Sequence, residues 1–526
     1  MCRTATQLLR GGAGVCLLLL FASCHLEKPL PSPNARFAGY SRTCGDIPHG
    51  IPGELPREYL KAYVGGDPAL VDGLCTWYLW QGGDPASFNG DSNRGGNPFF
   101  WRAIEQKTAL SLLKFVDSRH RHERFKTLGV MNDPGCRESV TPDAFGLYLD
   151  QCSDPYSAGI VGLRLTPNPK FDAKHWNAAE YFKDPRKYEP PYLVGMGCGS
   201  CHVAFNPLKP PADPEQPKWE NLAGAIGNQY LREGRLYEAG LTPKDFFWHV
   251  FETQEQGTSD TSRPSNDFVD NPSAINAIYY LDSARPKHLE TMNDGTTAAV
   301  PHILKDGADS IGAIGAAMRV YVNEGLCRGM RMDAEDVLLG VAKAQSPFRI
   351  AEAAAHCEDW KQTVARIPNV AKFLDAQHGF PLASVDNGRY ITKDAAQLAL
   401  GKRVFAENCV PCHSSKKPEG LASTAKWVEL VNRPDFLENN FLSDDNRYSA
   451  IAIGTNIKRT MGTNAGAGHI WNDFSSKTYK ELPSPGSVQL YNPLDPSKPI
   501  AFTFPTGKGY YRVPSLIAVW ATAPLL

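Results

Sequence analysis

Apolar residues recur at helical spacing in few stretches of this chain, and glycine and proline punctuate most of it. The clearest periodic stretch is Asp309 to Asn323. There Ile311, Ile314, Ala317, Met318 and Val322 fall at i, i+3 and i+4 intervals and predict a helix with one buried face. A second helix is predicted from Thr392, as N-cap with Asp394 in the first turn, to Asn408. The basic run Arg119 to Lys126 predicts a solvated helix face; its His120 and His122 have a spacing that can bind metal, but their neighbours are mostly Arg and Lys. Between Cys44 and Phe145 the chain is rich in Trp, Tyr and Gly, as in Cys75-Thr76-Trp77-Tyr78-Leu79-Trp80. Turn clusters at Gly82-Gly83-Asp84-Pro85 and at Asn93 to Pro98 make it an irregular extension. Pro190-Pro191 blocks a helix ahead of Val194, and Pro207, Pro210 and Pro211 stiffen the stretch downstream, so the backbone between them is expected to be irregular. Ala376 to Tyr390, with Gly379, Pro381, Asn387 and Gly388, reads as a linker.

At 526 residues the chain is long enough for two or three domains. A net charge of -1 argues against a nucleic-acid partner. The 41 Pro and 46 Gly are spread along the chain, as in a loop-rich globular protein. Arg3 and Arg10 precede the apolar run Val15 to Ala22, which is too short to span a bilayer and closes on Ala22-Ser23-Cys24, the layout of a secretory signal. A cysteine straight after Ala-Ser looks like a bacterial lipobox with Phe21 in place of the usual Leu. Two outcomes stay open: Cys24 as a lipidated first residue, the only membrane attachment expected, or plain cleavage. Either implies export, to the bacterial periplasm or to an outer-membrane-anchored lipoprotein.

The cysteines carry the chemistry. Cys198, Cys201 and His202 spell Cys-x-x-Cys-His, and the pattern returns at Cys409, Cys412 and His413. With 13 Cys and 13 His, chance supplies about 0.008 copies per chain. The spacing sets two thiols on one turn, where both can form thioethers to the vinyl groups of one porphyrin, with the next histidine beneath the iron as proximal ligand. Two covalently bound haem c groups are therefore expected, with His202 and His413 as iron ligands. A thioredoxin-like pair needs no following histidine, and a zinc site needs its ligand pairs close together. Outside the leader and the motifs remain Cys44, Cys75, Cys136, Cys152, Cys327 and Cys357, an even number that favours disulfides in an oxidising compartment. Pairing each with its sequence neighbour closes the shortest loops.

Gly401, Phe405, Cys409, Cys412 and His413 fall in the order in which a small cytochrome c domain opens, the glycine admitting a crossing C-terminal helix. Further stretches are Asn439 to Asp445, Gly454-Thr455-Asn456, Gly468-His469-Ile470-Trp471, Tyr491-Asn492-Pro493 and Tyr510 to Leu526, with Asn206-Pro207 and Cys75 to Trp80 upstream. On these the chain resembles the di-haem cytochrome c peroxidase and MauG superfamily, and within it the rubber-oxygenase-like periplasmic di-haem cytochromes. The match lies mainly in the C-terminal third. The resemblance implies a mainly α fold with long ordered loops, in which two cytochrome c-type haem domains follow an aromatic-rich N-terminal extension. The expected divisions are a signal peptide over 1–24, the extension over 25–140, a first haem domain over 141–377, a linker over 378–392 and a second haem domain over 393–526. It implies an oxidoreductase that activates dioxygen or hydrogen peroxide at an open haem on His202, with the His413 haem exchanging electrons with a redox partner protein. The alternative is a two-haem electron-transfer protein without a substrate of its own. The resemblance does not place the distal residues of the first haem. For the second, Met461 and His469 lie at ordinary cytochrome c distances. The family's own pattern instead carries a histidine just beyond the position of Leu526, so a truncated sequence is expected. Met318 is a further methionine whose position suits either a sixth ligand or the core.

Overall fold

The computed structural model describes residues 29–253, 285–302, 310–330, 347–454 and 467–521, together with Ile457 and Thr460. Within these, 48–49, 92, 109, 225–226, 233, 236–237, 239–240 and 493 are left out. The expected signal peptide with Cys24, and Met461, Pro493 and Leu526, lie outside the described residues.

A short helix α1 (Arg57–Val64) leads into α2 (Pro68–Leu79). Asp67 caps α2 by accepting from the Ala69 amide at 2.8 Å, and Pro68 stands where a missing N–H costs nothing. From Gly73 to Leu79 every residue of α2 is buried, so the helix needs partners on all sides. One is α7 (Ile367–Asp375), whose backbone comes so close that a Cβ on Gly73 would lie 2.2 Å from the Asn369 carbonyl oxygen. Another is α1, through a 2.7 Å hydrogen bond between the Tyr59 and Tyr78 hydroxyls. The remaining helices that matter here are α3 (Asn97–Thr108), α4 (Gly199–His202), α5 (Ala313–Asn323), α6 (Glu358–Val364), α8 (Ala395–Asn408) and α9 (Thr424–Asn432).

The expectation of a mainly α fold is overturned. Strands pair into six two-stranded antiparallel ladders among the described residues, which gives a mixed helix-and-strand architecture. The ladders are β1 (Cys136–Arg137) with β2 (Gln151–Cys152), β3 (Leu163–Pro167) with β4 (Tyr192–Met196), and β5 (Ala204–Phe205) with β6 (Leu222–Ala223). They continue with β7 (His288–Thr291) and β8 (Thr297–Val300), β9 (Arg447–Ser449) and β12 (Tyr510–Arg512), and β10 (Ser487–Asn492) and β11 (Asp495–Thr503). The stretch ahead of the first motif is thus a regular strand. Pro190-Pro191 end just where β4 begins and cost no ladder bond.

Three cores form. The largest gathers α2, α5, α6 and α7 around Trp77, Tyr78, Tyr321, Trp360 and Phe373. A second fills the space under β3 and β4 with Phe145, Leu165, Tyr181 and Val194. A third joins α8 to α9 through Ala406, Val410, Trp427 and Leu430. The predicted helix ending at Asn323 is present, with Met318 and Val322 buried, but Ile314 of its expected apolar face is exposed. The helix before the second motif starts later than expected: Asp394, not Thr392, is its N-cap and accepts from Ala396 and Gln397. Gly401 has no heavy atom within 4 Å of where a Cβ would sit, so no helix crosses there, and Leu398, Leu400 and Val404 are about half exposed. The Arg119 to Lys126 run keeps His120 exposed beside Glu123 at 2.7 Å. Arg124 instead turns inward to Asp150 at 2.9 Å and to the carbonyls of Val116 and Asp117. Among the described residues no helix is long and apolar enough to cross a membrane.

The three disulfides join Cys44 to Cys75, Cys136 to Cys152 and Cys327 to Cys357, the shortest-loop pairing. Peptide mapping without reduction should recover these three links. Replacing Cys327 and Cys357 together with Ser should lower the unfolding free energy by about 2–4 kcal/mol in a denaturant titration; an unchanged midpoint would show that the loop is already held without the bridge.

Candidate functional site

The two motifs reach the same local geometry from different starting elements. The first follows β4. Cys198 caps α4, a single turn in which the amides of Cys201 and His202 donate to the Cys198 carbonyl at 3.2 and 2.9 Å. The second follows α8, whose C-cap is Cys409, and the amides of Cys412 and His413 donate to the Cys409 carbonyl at the same two distances. In both, one turn sets the two thiols side by side with the histidine immediately after.

The first turn is locked from behind. Gly162 passes it with no room for a side chain: its φ is +80°, and a Cβ there would lie 2.1 Å from the Ser200 amide nitrogen. Its carbonyl accepts from the Gly197 amide at 2.7 Å. His202 is buried, with the Trp77 ring 5.4 Å away centroid to centroid and the Trp77 indole N–H donating to the His202 carbonyl at 3.4 Å. The Cys198 thiol lies 3.5 Å from the Tyr321 hydroxyl, and burial pushes it up to about 11. A thiol so raised stays protonated at neutral pH, the reverse of the depressed value that makes a redox-active Cys-x-x-Cys attack disulfides. Met318 is buried in the same core as Cys198.

The second turn is more open. His413 is partly buried, and burial pushes its imidazole below the ordinary value while the backbones of Leu442 and Pro514, against the ring, oppose that. Those residues belong to 439–445 and 510–521, stretches that the sequence singles out. Ser443 donates to the Val513 carbonyl at 2.7 Å, and the Asp444 amide donates to the Cys412 carbonyl at 2.9 Å. Asp444 also accepts from Tyr448 at 2.7 Å and Lys417 at 3.3 Å, so a polar chain starts beside Cys412. It continues into a buried cluster that sequence reasoning missed. His302 stands between Asp445 at 3.0 Å and Glu290 at 2.9 Å, and Glu290 also accepts from Arg447 at 2.6 Å and Ser476 at 2.5 Å. Only the Asp444-Asp445 doublet hinted at it; nothing in 285–302 marks His302 as special.

His469 is partly buried. Its neighbours Ile470, Trp471 and Phe474 enter the large core that holds Cys198, and the Phe348 amide donates to the Ile470 carbonyl at 2.9 Å. Met461, the other distal candidate, lies outside the described residues. Among the described residues, the thiols that remain unbridged are Cys198, Cys201, Cys409 and Cys412. No group of three or more His, Cys, Asp or Glu among them could hold a metal ion by itself.

Two thiols and an imidazole on one turn, with no bridge between the thiols, are a donor set that fits covalent haem at both places. In chain prepared without haem, alkylation of Cys198 by iodoacetamide should stay slow at pH 8 and accelerate only towards pH 11, because the thiolate is the nucleophile; rapid labelling at pH 8 would contradict the buried setting. Comparison of the chain with protein-family models, with curated proteins and with solved structures finds no match.

Proposed function

We propose that the chain is an exported oxidoreductase carrying two covalently attached haem c groups, one on Cys198, Cys201 and His202 and one on Cys409, Cys412 and His413. The observation that carries this reading is the division of the cysteines. Among the described residues six are bridged, and the four left as thiols are those that the two Cys-x-x-Cys-His turns need. Three bridges also suit an oxidising compartment.

Haem supplies one-electron chemistry and, where the iron's sixth position is open, activation of dioxygen or hydrogen peroxide. The resemblance of the sequence to the di-haem family gives the open position to the His202 group and the electron-relay role to the His413 group, which exchanges electrons with a redox partner protein. The chain's own residues do the positioning. Trp77 holds the His202 backbone by its indole N–H and lays its ring beside the imidazole, which limits both the tilt of the ligand and the access of water. At the second turn the backbones of Leu442 and Pro514 orient His413, and Tyr448 and Lys417 share Asp444 beside Cys412, a chain able to hold a proton near that group.

A pyridine haemochrome count should give two haems per chain, with Cys201→Ala or Cys412→Ala each lowering it to one. Carbon monoxide added to the reduced protein should shift about half of the Soret intensity. The shift should vanish in His202→Gly and persist in His413→Gly. A chain with two haems that binds no carbon monoxide would be an electron-transfer protein instead.

A further inference from the structure

A cleft of about 1390 Å³ opens between α2, α7, β3 and the turn over residues 83–88. It is larger than the roughly 300–1,000 Å³ common for small-molecule sites. We propose that it binds a neutral aromatic reductant of the hydroquinone class, and that the electrons of this molecule reach the group on His202 by way of Trp80 and Trp77. The proposal rests on the reading that His202 holds a haem.

Three observations converge on it. The walls mix polar side chains with a larger apolar and aromatic share, with Phe37, Leu79, Trp80, Phe88, Tyr156 and Phe171 among the lining residues. Flat rings of this kind favour offset or edge contacts with a planar ligand. Of the four charged side chains that line the cleft, Asp72, Arg164 and Arg366 are already answered, and Asp84 accepts only from the Ala86 amide at 2.9 Å. Asp72 accepts from Asn369 at 2.8 Å and faces Arg366 at 3.8 Å, Arg164 is held by Asp154 at 3.1 Å, and the Arg366 guanidinium lies over the Trp80 ring at 4.3 Å. An anionic ligand would have to break one of these pairs to gain a counter-charge, whereas a neutral one displaces only water. Ser32, Asn34 and Asp84 supply polar groups where ligand hydroxyls stay hydrogen-bonded.

The third observation is the way α2 connects the cleft to the first motif. Trp80 lines the cleft and is fixed by its indole N–H to the Thr363 hydroxyl at 3.0 Å. Trp77, three residues before Trp80 in the last turn of α2, of which Trp80 is the C-cap, has its ring 5.4 Å from that of His202. Two buried indoles thus link the cleft wall to the imidazole. A hydroquinone that gives up two electrons becomes the quinone, one electron reduces each of the two ferric haems, and the two hydroxyl protons leave to solvent at the cleft mouth.

The test uses the full exported chain with N-phenyl-1-naphthylamine, a neutral probe that fluoresces in apolar surroundings, and with tetramethylhydroquinone as reductant. The probe should bind saturably. Ala69→Trp and Ala365→Trp, which fill the cleft from small wall positions, should each weaken it about tenfold or more with unchanged far-ultraviolet circular dichroism. In anaerobic stopped flow, tetramethylhydroquinone should reduce the Soret band, and the same two variants should slow that reduction at limiting reductant by a similar factor. Trp80→Phe should lower the reduction rate about tenfold even at saturating reductant, where a change in affinity no longer counts, with both haem midpoint potentials unchanged. The proposal is overturned if neither filling variant weakens the probe, or if Trp80→Phe reduces as fast as the parent. A chain found to carry no haem would sink the functional reading and the electron route with it, while the probe measurements still decide separately whether the cleft binds a neutral aromatic molecule.

Discussion

The burial of the second half of α2, Gly73 to Leu79, on every side is the constraint on which the larger body depends. A helix whose last two turns have no solvent face cannot be stable alone, and each of its neighbours here answers a different part of that surface. Gly73 lets α7 approach to backbone contact, Cys75 is tied to Cys44, Tyr78 shares a hydroxyl hydrogen bond with Tyr59, and Trp77 closes over His202. The sequence around Cys75 to Trp80 is therefore a packing centre, and the first Cys-x-x-Cys-His turn is one of the surfaces packed on it. Moving α2 moves His202.

The two motifs show how little a five-residue turn depends on the element that precedes it. A strand delivers one and a helix the other, yet both fold their histidine amide back to the first cysteine carbonyl at 2.9 Å. Their surroundings differ where chemistry would be tuned. The first lies in a core of indoles, phenols and thioethers; the second is flanked by backbone carbonyls, a carboxylate and a lysine. The same ligand type in an apolar and in a polar setting favours different charge states of whatever it holds.

Features set by local sequence were legible before the fold was known, and features set by distant contacts were not. The disulfides followed from loop length, because the closest cysteines in the chain are the cheapest to bring together. The helix ahead of Cys409 was visible, but its start was misread because Thr392 and Asp394 are both good caps and only the fold chooses between them. The mainly α expectation failed because the ladders are short. Pairs such as β1 with β2 or β5 with β6 span two residues a side, too few to leave an alternating pattern. The buried cluster about His302 draws its members from 290, 302, 445, 447 and 476, and no window of sequence contains them together.

That cluster has a consequence for how the molecule assembles. Glu290 and His302 come from the β7–β8 hairpin and its end, Asp445 and Arg447 from the chain beyond the second motif, and all but the partly buried Arg447 are buried. If the hairpin docked without its partner segment, Glu290 and His302 would keep each other but lose Arg447 and Asp445, and breaking a buried charge pair of this kind costs about 3–5 kcal/mol. Half-assembled states are therefore disfavoured relative to both the open chain and the finished one. The charges act as a checkpoint on cooperativity: the segment after the second motif and the hairpin that precedes α5 close together or not at all.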